Sequence, residues 1–395
     1  MTLSNLSLKN LNLRLLLAFM AICPVFYYNG LMFGKSTLRI GQEQFFQLGA
    51  TVLFSVVILE NIYISLFVLL TVFLYAYYNF PPIGGTYLIN IFFGAVLYQI
   101  AYKVVDRQNV AKFYNVLLWL AVLNIAWMAL QFANFELIFV EYGKGFNSDH
   151  VGMLGLKAFM GMFFAMCIPF MCRLNPWIAG LFFIPIYYSE CAVAAVGGLA
   201  ALGWHIWNQN KKAAIAFLCA ASLLGAAYVY KDSKANMYTN RFSVWKESLR
   251  DAFKHPILGW GLDSFRNVGD LKPFMYFTKD TDNECVKFYL HKETQSLVPP
   301  KSLPPGTNVN PWDHPHNEYI SLLYEFGLFG VLIFVLLVRD IKRRFLNDEY
   351  VIPLIGFFIT ILIFSLGQFP FHVARIGYAI PIFLGVYYKL TEEEI

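Results

Sequence analysis

The sequence predicts an all-α fold, a polytopic bundle of membrane-spanning helices with one large loop outside the bilayer. Three observations carry this: scarce charge, a train of long apolar runs, and a one-sided placement of Lys and Arg between them. The 395 residues are 58% hydrophobic, 18% aromatic and 14% charged, with mean hydropathy +0.53. Soluble domains carry about 25% charged residues, so the deficit points to a surface that faces lipid. The net charge of +5 is scattered between the apolar runs. There is no basic block and no aromatic platform on a soluble sheet, which argues against a nucleic-acid partner.

Apolar runs occur at about 13–33, 44–59, 62–79, 85–102, 113–133, 151–171, 176–189, 191–207, 213–230, 317–338, 350–367 and 372–388. Each approaches the ~20 residues that cross ~30 Å of hydrocarbon as helix. Glu60-Asn61 and Ser189-Glu190 are thin boundaries that divide longer runs, so the count is about 12. Strand-like alternation is absent from the runs, and lipid forbids open sheets, so helix is the expected state. No internal repeat and no heptad pattern is visible. Residues 1–230 read as spans 1–9, 231–316 as a large loop, and 317–395 as spans 10–12 with a cytoplasmic tail.

Orientation follows from positive charge. With the N-terminus inside, inner segments hold Lys9, Arg14, Lys103, Arg107, Lys112, Arg173, Lys211, Lys212, Arg339, Lys342, Arg343, Arg344 and Lys389. The short outer loops hold only Lys35, Arg39, Lys144 and Arg375. Both termini are therefore expected in the cytoplasm and 231–316 outside, which in a bacterium is the periplasm of the inner membrane. Ile22 is too large for the small residue that normally precedes a lipoprotein cysteine, so Cys23 is expected to lie in an uncleaved first span. Cys285 alone falls in the large loop, which leaves no disulfide framework there.

Within the loop, Phe242, Trp245, Leu249 and Phe253 recur at three- and four-residue steps among Lys246, Glu247, Arg250 and Asp251. This is the pattern of an amphipathic helix lying on the membrane interface. His255-Pro256 ends it, and Gly259, Gly261, Pro299, Pro300, Pro304 and Pro305 mark irregular chain.

The densest polar cluster is Asp313-His314-Pro315-His316-Asn317-Glu318, just before the run that starts near Tyr319. Pro315 keeps His314 out of the helix, while His316 to Glu318 are expected to form its first turn. An imidazole at the outer face, beside a helix N-terminus that favours anions, is suited to act as a general base. A histidine-rich cap without chemistry is the alternative. A metal site is not expected, because two histidines flanking a proline face poorly and no third ligand is matched to them. Among other polar residues, Asp149-His150 reads as a cap, and Glu136 and Glu141 as solvated. The Phe163-Phe164 and Phe182-Phe183 pairs read as packing and lipid contact. Trp260 and Trp312 are aromatic residues of the loop that either stack on a ring-shaped ligand or belong to the fold.

The stretches "RFSVWKESLRDAFKHPILGWGLDSF" at 241–265 and "HPHNEYISLLYEFGLFGVLIF" at 314–334 resemble the O-antigen ligase and polymerase superfamily. In that family an Arg and a Trp open a periplasmic helix leading into a Pro-x-x-Gly-x-Gly stretch. A His-Asn pair then starts the next span, which carries Glu-x-Gly-x-x-Gly, here Glu325, Gly327 and Gly330. The resemblance implies a metal-independent, membrane-embedded glycosyltransferase (GT-C-like in architecture) with no cofactor. Such enzymes move a glycan from undecaprenyl diphosphate to a hydroxyl, such as that of lipid A-core. It aligns His316 with the base that activates the hydroxyl and Arg241 with a ligand of the donor diphosphate. His314, Asn317 and Trp312 are then supporting residues.

One departure stands out. Many members carry a Ser-Arg pair at the outer end of the seventh span, where this chain has Ser189-Glu190. Lys157 and Arg375 are the candidate replacement cations, with Glu190 as a partner positioning Lys157. Structural pairing or snorkelling for Lys157, and surface anchoring for Arg375, are the alternatives. Ligase, polymerase and protein O-oligosaccharyltransferase activities all fit the resemblance. A transporter of lipid-linked sugar is a weaker alternative, since transporters usually bind at the bilayer midplane between inverted repeats.

Overall fold

The computed structural model describes residues 62–77, 82–133, 157–232, 237–262, 264–265, 274–279, 285–290, 297–299, 303–304, 307, 309–312, 314–368, 370–372 and 377–392. The expected runs at 13–33 and 44–59 lie outside the described residues. The protein is mostly helical. The apolar runs become α1 (Ile62–Tyr77), α2 (Pro82–Val104), α3 (Val110–Phe132), α4 (Lys157–Leu174), α5 (Pro176–Leu181), α6 (Phe183–Tyr188), α7 (Ala192–Gln209) and α8 (Lys211–Asp232). After the amphipathic α9 (Met237–Ala252) come β1 (Phe274–Lys279), β2 (Cys285–Leu290), β3 (Leu297–Val298) and β4 (Val309–Trp312). The chain closes with α10 (Glu318–Arg343), α11 (Val351–Phe364), a 3₁₀ turn Pro370–His372, and α12 (Ala379–Glu392).

Among the described residues, α3 and α10 are long and apolar enough to cross a membrane. At ~1.5 Å per residue each exceeds the ~30 Å of a hydrocarbon core. Both turn large apolar side chains outward: Trp119 and Leu123 on α3, Leu328, Leu332 and Val335 on α10. The run expected as one span at 176–189 is divided. Asn175 caps α5 with its side chain, and α5 and α6 are six residues each.

The interior is built by α4, α7 and α11 packing on one another and by α2 packing on α12. Small residues allow the approach. A Cβ on Gly197 of α7 would sit 3.3 Å from the Thr360 carbonyl oxygen of α11, and Thr360 Oγ1 donates to the Gly197 carbonyl at 3.4 Å. A Cβ on Gly385 of α12 would run into the carbonyl oxygen of Tyr98 on α2. Such contacts are the usual means of helix association where no hydrophobic gradient separates protein from solvent.

Two features, one in the large loop and one in the helix that follows it, depart from the expectation. First, the loop holds an antiparallel four-stranded sheet in the order β3-β2-β1-β4. The strands are two to six residues long, too short for a period-two pattern to stand out in the sequence. Second, α10 is interrupted. Gly327 has φ 62° and ψ −160°, a backbone region open essentially to glycine alone. The break is repaired by the segment after α9. Trp260 N–H donates to Tyr324 O (2.8 Å) and Gly261 N–H to Glu325 O (3.0 Å). In return Leu328 N–H donates to Pro256 O (2.8 Å) and Phe329 N–H to Ile257 O (3.3 Å). The Pro-x-x-Gly-x-Gly and Glu-x-Gly-x-x-Gly runs are therefore two halves of one backbone clamp. A Cβ on Gly259 would lie 2.5 Å from the Glu325 carbonyl carbon, and one on Gly327 would lie 2.5 Å from the Gly259 nitrogen. In lipid, a helix break persists only when its backbone groups find partners. The clamp supplies them.

Candidate active site

Asn317 has extended backbone (φ −155°, ψ 112°) and caps α10, its side-chain oxygen accepting from the N–H groups of Tyr319 (3.0 Å) and Ile320 (3.1 Å). His316 therefore lies one residue before the cap, outside the helix, rather than in the first turn. Its φ of 51° is uncommon for a residue with a Cβ and costs of order 1–3 kcal/mol, strain that characteristically gathers at functional sites. The segment is held from above by α9, where Trp245 Nε1–H donates to Pro315 O at 2.6 Å. Trp312, at the end of β4, stands edge-on to the His316 ring, 5.2 Å between centroids at 84°. His314 is buried, only 4% exposed.

The other wall is the turn after α11. Its own N–H groups point back into the helix: Ser365 to Ile361 O, Leu366 to Ile363 O, and Gly367 and Gln368 to Phe364 O. Four consecutive residues then each accept one hydrogen bond from the site. Ser365 O accepts from Glu318 N–H (2.9 Å) and Leu366 O from Asn317 Nδ2 (3.0 Å). Gly367 O accepts from the Arg241 guanidinium (2.9 Å), and Gln368 Oε1 is 3.2 Å from His316 Nδ1. Glu318 Oε1 extends the seam by accepting from Phe371 N–H (2.7 Å). Adjacent residues thus hold the two groups that the sequence singles out, Arg241 and His316.

Gly367 is required here for space. A Cβ would meet Val193 Cγ2 at 2.7 Å and lies 3.8 Å from Arg241 Nη1. The contact with Val193 brings the N-terminus of α7 to the same place, and Arg241 acts electrostatically on the Cys191 thiol. Arg241 therefore sits beside the Ser189-Glu190-Cys191 turn, the position of the family's second arginine. In that turn Ser189 is buried and its hydroxyl donates to Ile186 O (2.5 Å), while exposed Glu190 takes φ 53°. Lys157 opens α4. One turn on, Gly161 packs so closely on Ser189 that a Cβ there would lie 2.9 Å from the Ser189 Cβ. The end of α4 that carries Lys157 is thus the end nearest the turn. Arg375, like Asp149-His150, Glu136 and Glu141, lies outside the described residues.

Behind the site, Asp251 is a fully buried charge that ties α9 to the sheet. Its carboxylate accepts from Lys254 Nζ (2.8 Å), Lys287 Nζ (2.9 Å) and the Tyr276 hydroxyl. Burial pushes the carboxyl upward, but these bonds and the Lys287 charge outweigh it and hold it below the usual carboxylate value. Burial, with the neighbouring Tyr324 and Asp251, raises the Tyr276 hydroxyl far above the usual phenol range. Trp260 belongs to this support. Its indole N–H donates to Asp251 O (2.8 Å) and its ring centroid lies 4.0 Å from that of His255, which gives it a part in holding the fold.

Sequence reasoning singled out His316, Arg241 and Asn317 but not the turn that joins them. The signal was Ser365, Gly367 and Gln368 before Pro370, of which the first two were absorbed into the end of the apolar run 350–367. Among the described residues no group of three or more His, Cys, Asp or Glu side chains is placed to hold a metal ion.

Residues 177–335 match the family model described as O-antigen ligase. The matched stretch runs from α5 into α10 and covers Arg241, the clamp and His316, bearing out the resemblance to the O-antigen ligase and polymerase superfamily. With that family go a membrane location and a glycosyltransferase-like ligase or polymerase activity on lipid-linked glycans. No curated protein matches the chain.

Proposed function

We propose, on the premise that residues 177–335 form an O-antigen ligase domain, that the protein transfers a glycan from undecaprenyl diphosphate to a hydroxyl of lipid A-core at the periplasmic face of the inner membrane. The observation that supports this most is the pairing of Arg241 and His316 on neighbouring residues of one turn. The reaction needs two things close together: a base for the acceptor hydroxyl and a cation for the departing diphosphate.

His316 Nδ1 faces a carbonyl oxygen, which can only accept, so in the neutral ring Nε2 carries the lone pair. That nitrogen takes the acceptor's O–H proton as the oxygen attacks the anomeric carbon. The bond from that carbon to the diphosphate oxygen breaks, and its electron pair leaves with undecaprenyl diphosphate. Arg241 meets the charge that develops there, and the N-terminus of α7, with no acid in its first turn, adds a favourable dipole. Lys157 supplies a second cation in this reading, with Arg375 as the alternative and Glu190 as the partner that positions Lys157.

A deletion strain tests the assignment by gel analysis of its surface lipid. Loss of polymer from lipid A-core with accumulation of carrier-linked polymer supports the ligase. A single repeat left on the core would make it a polymerase. Unchanged lipopolysaccharide with a shifted pilin band would make it a protein-glycosylating enzyme.

A further inference from the structure

The turn after α11 does more than close the bundle. Residues 365–368 accept bonds from groups that are distant in sequence: Arg241 is 126 positions from Gly367 and His316 is 52 from Gln368. Three of the four acceptors are main-chain carbonyls, whose positions are set by the helix end. The fourth is the side chain of Gln368, itself 8% exposed. From this juxtaposition we infer that Gln368 is a positioning residue for transfer, fixing the tautomer and direction of the His316 ring relative to Arg241. The inference rests on the proposed role of His316 as base.

The chemistry of the pair explains what an amide does there. His316 precedes the cap with a left-handed backbone, so its ring is not oriented by helical geometry. Trp312 stands edge-on to the ring. A hydrogen bond from Nδ1 to Gln368 Oε1 restrains the ring further and assigns the proton to Nδ1, which leaves proton acceptance to Nε2. Because the amide is neutral, it does this without placing a charge beside the ring. A carboxylate at the same position would hold the ring equally well but would favour the imidazolium, which is inactive as a base. Among the described residues, the titratable and charged groups on the elements that meet there include His314 and Glu318 on the histidine's own segment, Arg241 on α9 and Glu190 before α7, and Lys157 opens α4. Substitution of Gln368 leaves each of these residues in place, so the comparison of Gln368→Leu with Gln368→Glu reads the effect of the side chain at 368.

The test uses the full chain in proteoliposomes. Carrier-linked glycan extracted from the deletion strain is the donor, and lipopolysaccharide lacking O-antigen is the acceptor. Wild type, His316→Ala, Gln368→Leu and Gln368→Glu are compared for kcat, donor KM and the pH dependence of the rate. Gln368→Leu is expected to lower kcat by about 10- to 100-fold with donor KM unchanged, part of the ~10²–10⁴-fold that a general base contributes. Gln368→Glu is expected to retain activity at high pH and to move the acid limb of the profile upward by about 1 unit or more. Either an acid limb left in place by Gln368→Glu or wild-type kcat in Gln368→Leu would overturn the inference. If Gln368→Leu does not accumulate, the near-isosteric Gln368→Glu decides alone, by the presence or absence of that shift. An active His316→Ala would bring down the base assignment itself. An inactive His316→Ala with an unmoved Gln368→Glu profile removes only the positioning role.

Discussion

The two regions that carry the family's sequence signal, the glycine clamp and the histidine segment, are built in opposite ways. In the clamp, residues 256–261 and 324–329 meet through main-chain atoms, four hydrogen bonds between peptide groups with Gly259 and Gly327 at the closest approach. At the histidine segment the chain offers side chains instead: Trp245, Arg241, His316 and Asn317 each reach a partner in another segment. A motif can therefore be conspicuous because it leaves no room for side chains, or because it depends on them. The first kind fixes the loop on the bundle, and the second bears the chemistry in the function proposed above.

Substitution should separate the two kinds. The largest expected effect is on His316: His316→Ala should reduce transfer by about 10²–10⁴-fold while the protein stays folded and still binds undecaprenyl diphosphate. Transfer rates near wild type would show that the histidine segment, like the clamp, is architecture. Next comes Gly327→Ala, expected to destabilise the protein by about 3 kcal/mol or more. It adds a Cβ at a φ reserved for glycine and forces that Cβ onto the backbone of 257–259. Thermal unfolding in detergent measures this, and an unchanged transition would mean that the clamp opens at no cost.

Arg241→Ala should weaken binding of undecaprenyl diphosphate by about 10- to 100-fold, the equivalent of ~1.5–3 kcal/mol for a lost bond to a charged group. Lys157→Met should weaken it too if Lys157 is the second cation. Glu190→Arg, which restores the family's residue, is the informative control. Higher transfer by Glu190→Arg, with no effect of Lys157→Met, would make Lys157 structural and leave Arg375 to be tested.

The smallest expected effect lies at Asp251, where Asp251→Asn should cost about 1–3 kcal/mol, since Lys254 is half exposed and loses little. Its pH dependence has a definite sign. The folded-state value is held down, so the stabilisation is complete above the unfolded carboxyl value near ~4 and is lost as pH falls through the folded one. Stability of the wild type should therefore fall more steeply in acid than that of Asp251→Asn. Parallel curves would show that the carboxylate gains nothing from its partners.

The sequence alone determined the helical character of the protein, the amphipathic α9 and the glycine spacing. All of these are local. Apolar runs in lipid satisfy their peptide groups internally, whereas α10 starts later than expected, at Glu318 with Asn317 as its cap. Even so, α9 shows what periodicity leaves out. Phe242 and Phe253 face outward, whereas Val244, Ser248 and Asp251 make the buried face, because the paired Asp251 is held inside by Lys287 and Tyr276 from other strands. The site depends on the same kind of distant contact. Nothing near His316 in the chain announces Gln368, and nothing near Arg241 announces Gly367, since these partners meet only when α11 packs on α7 and α4 and presents the end of its helix. Local order was legible because it is decided by neighbours in sequence. The register of His316 against Arg241 was decided by packing, which sets where four consecutive acceptors come to rest.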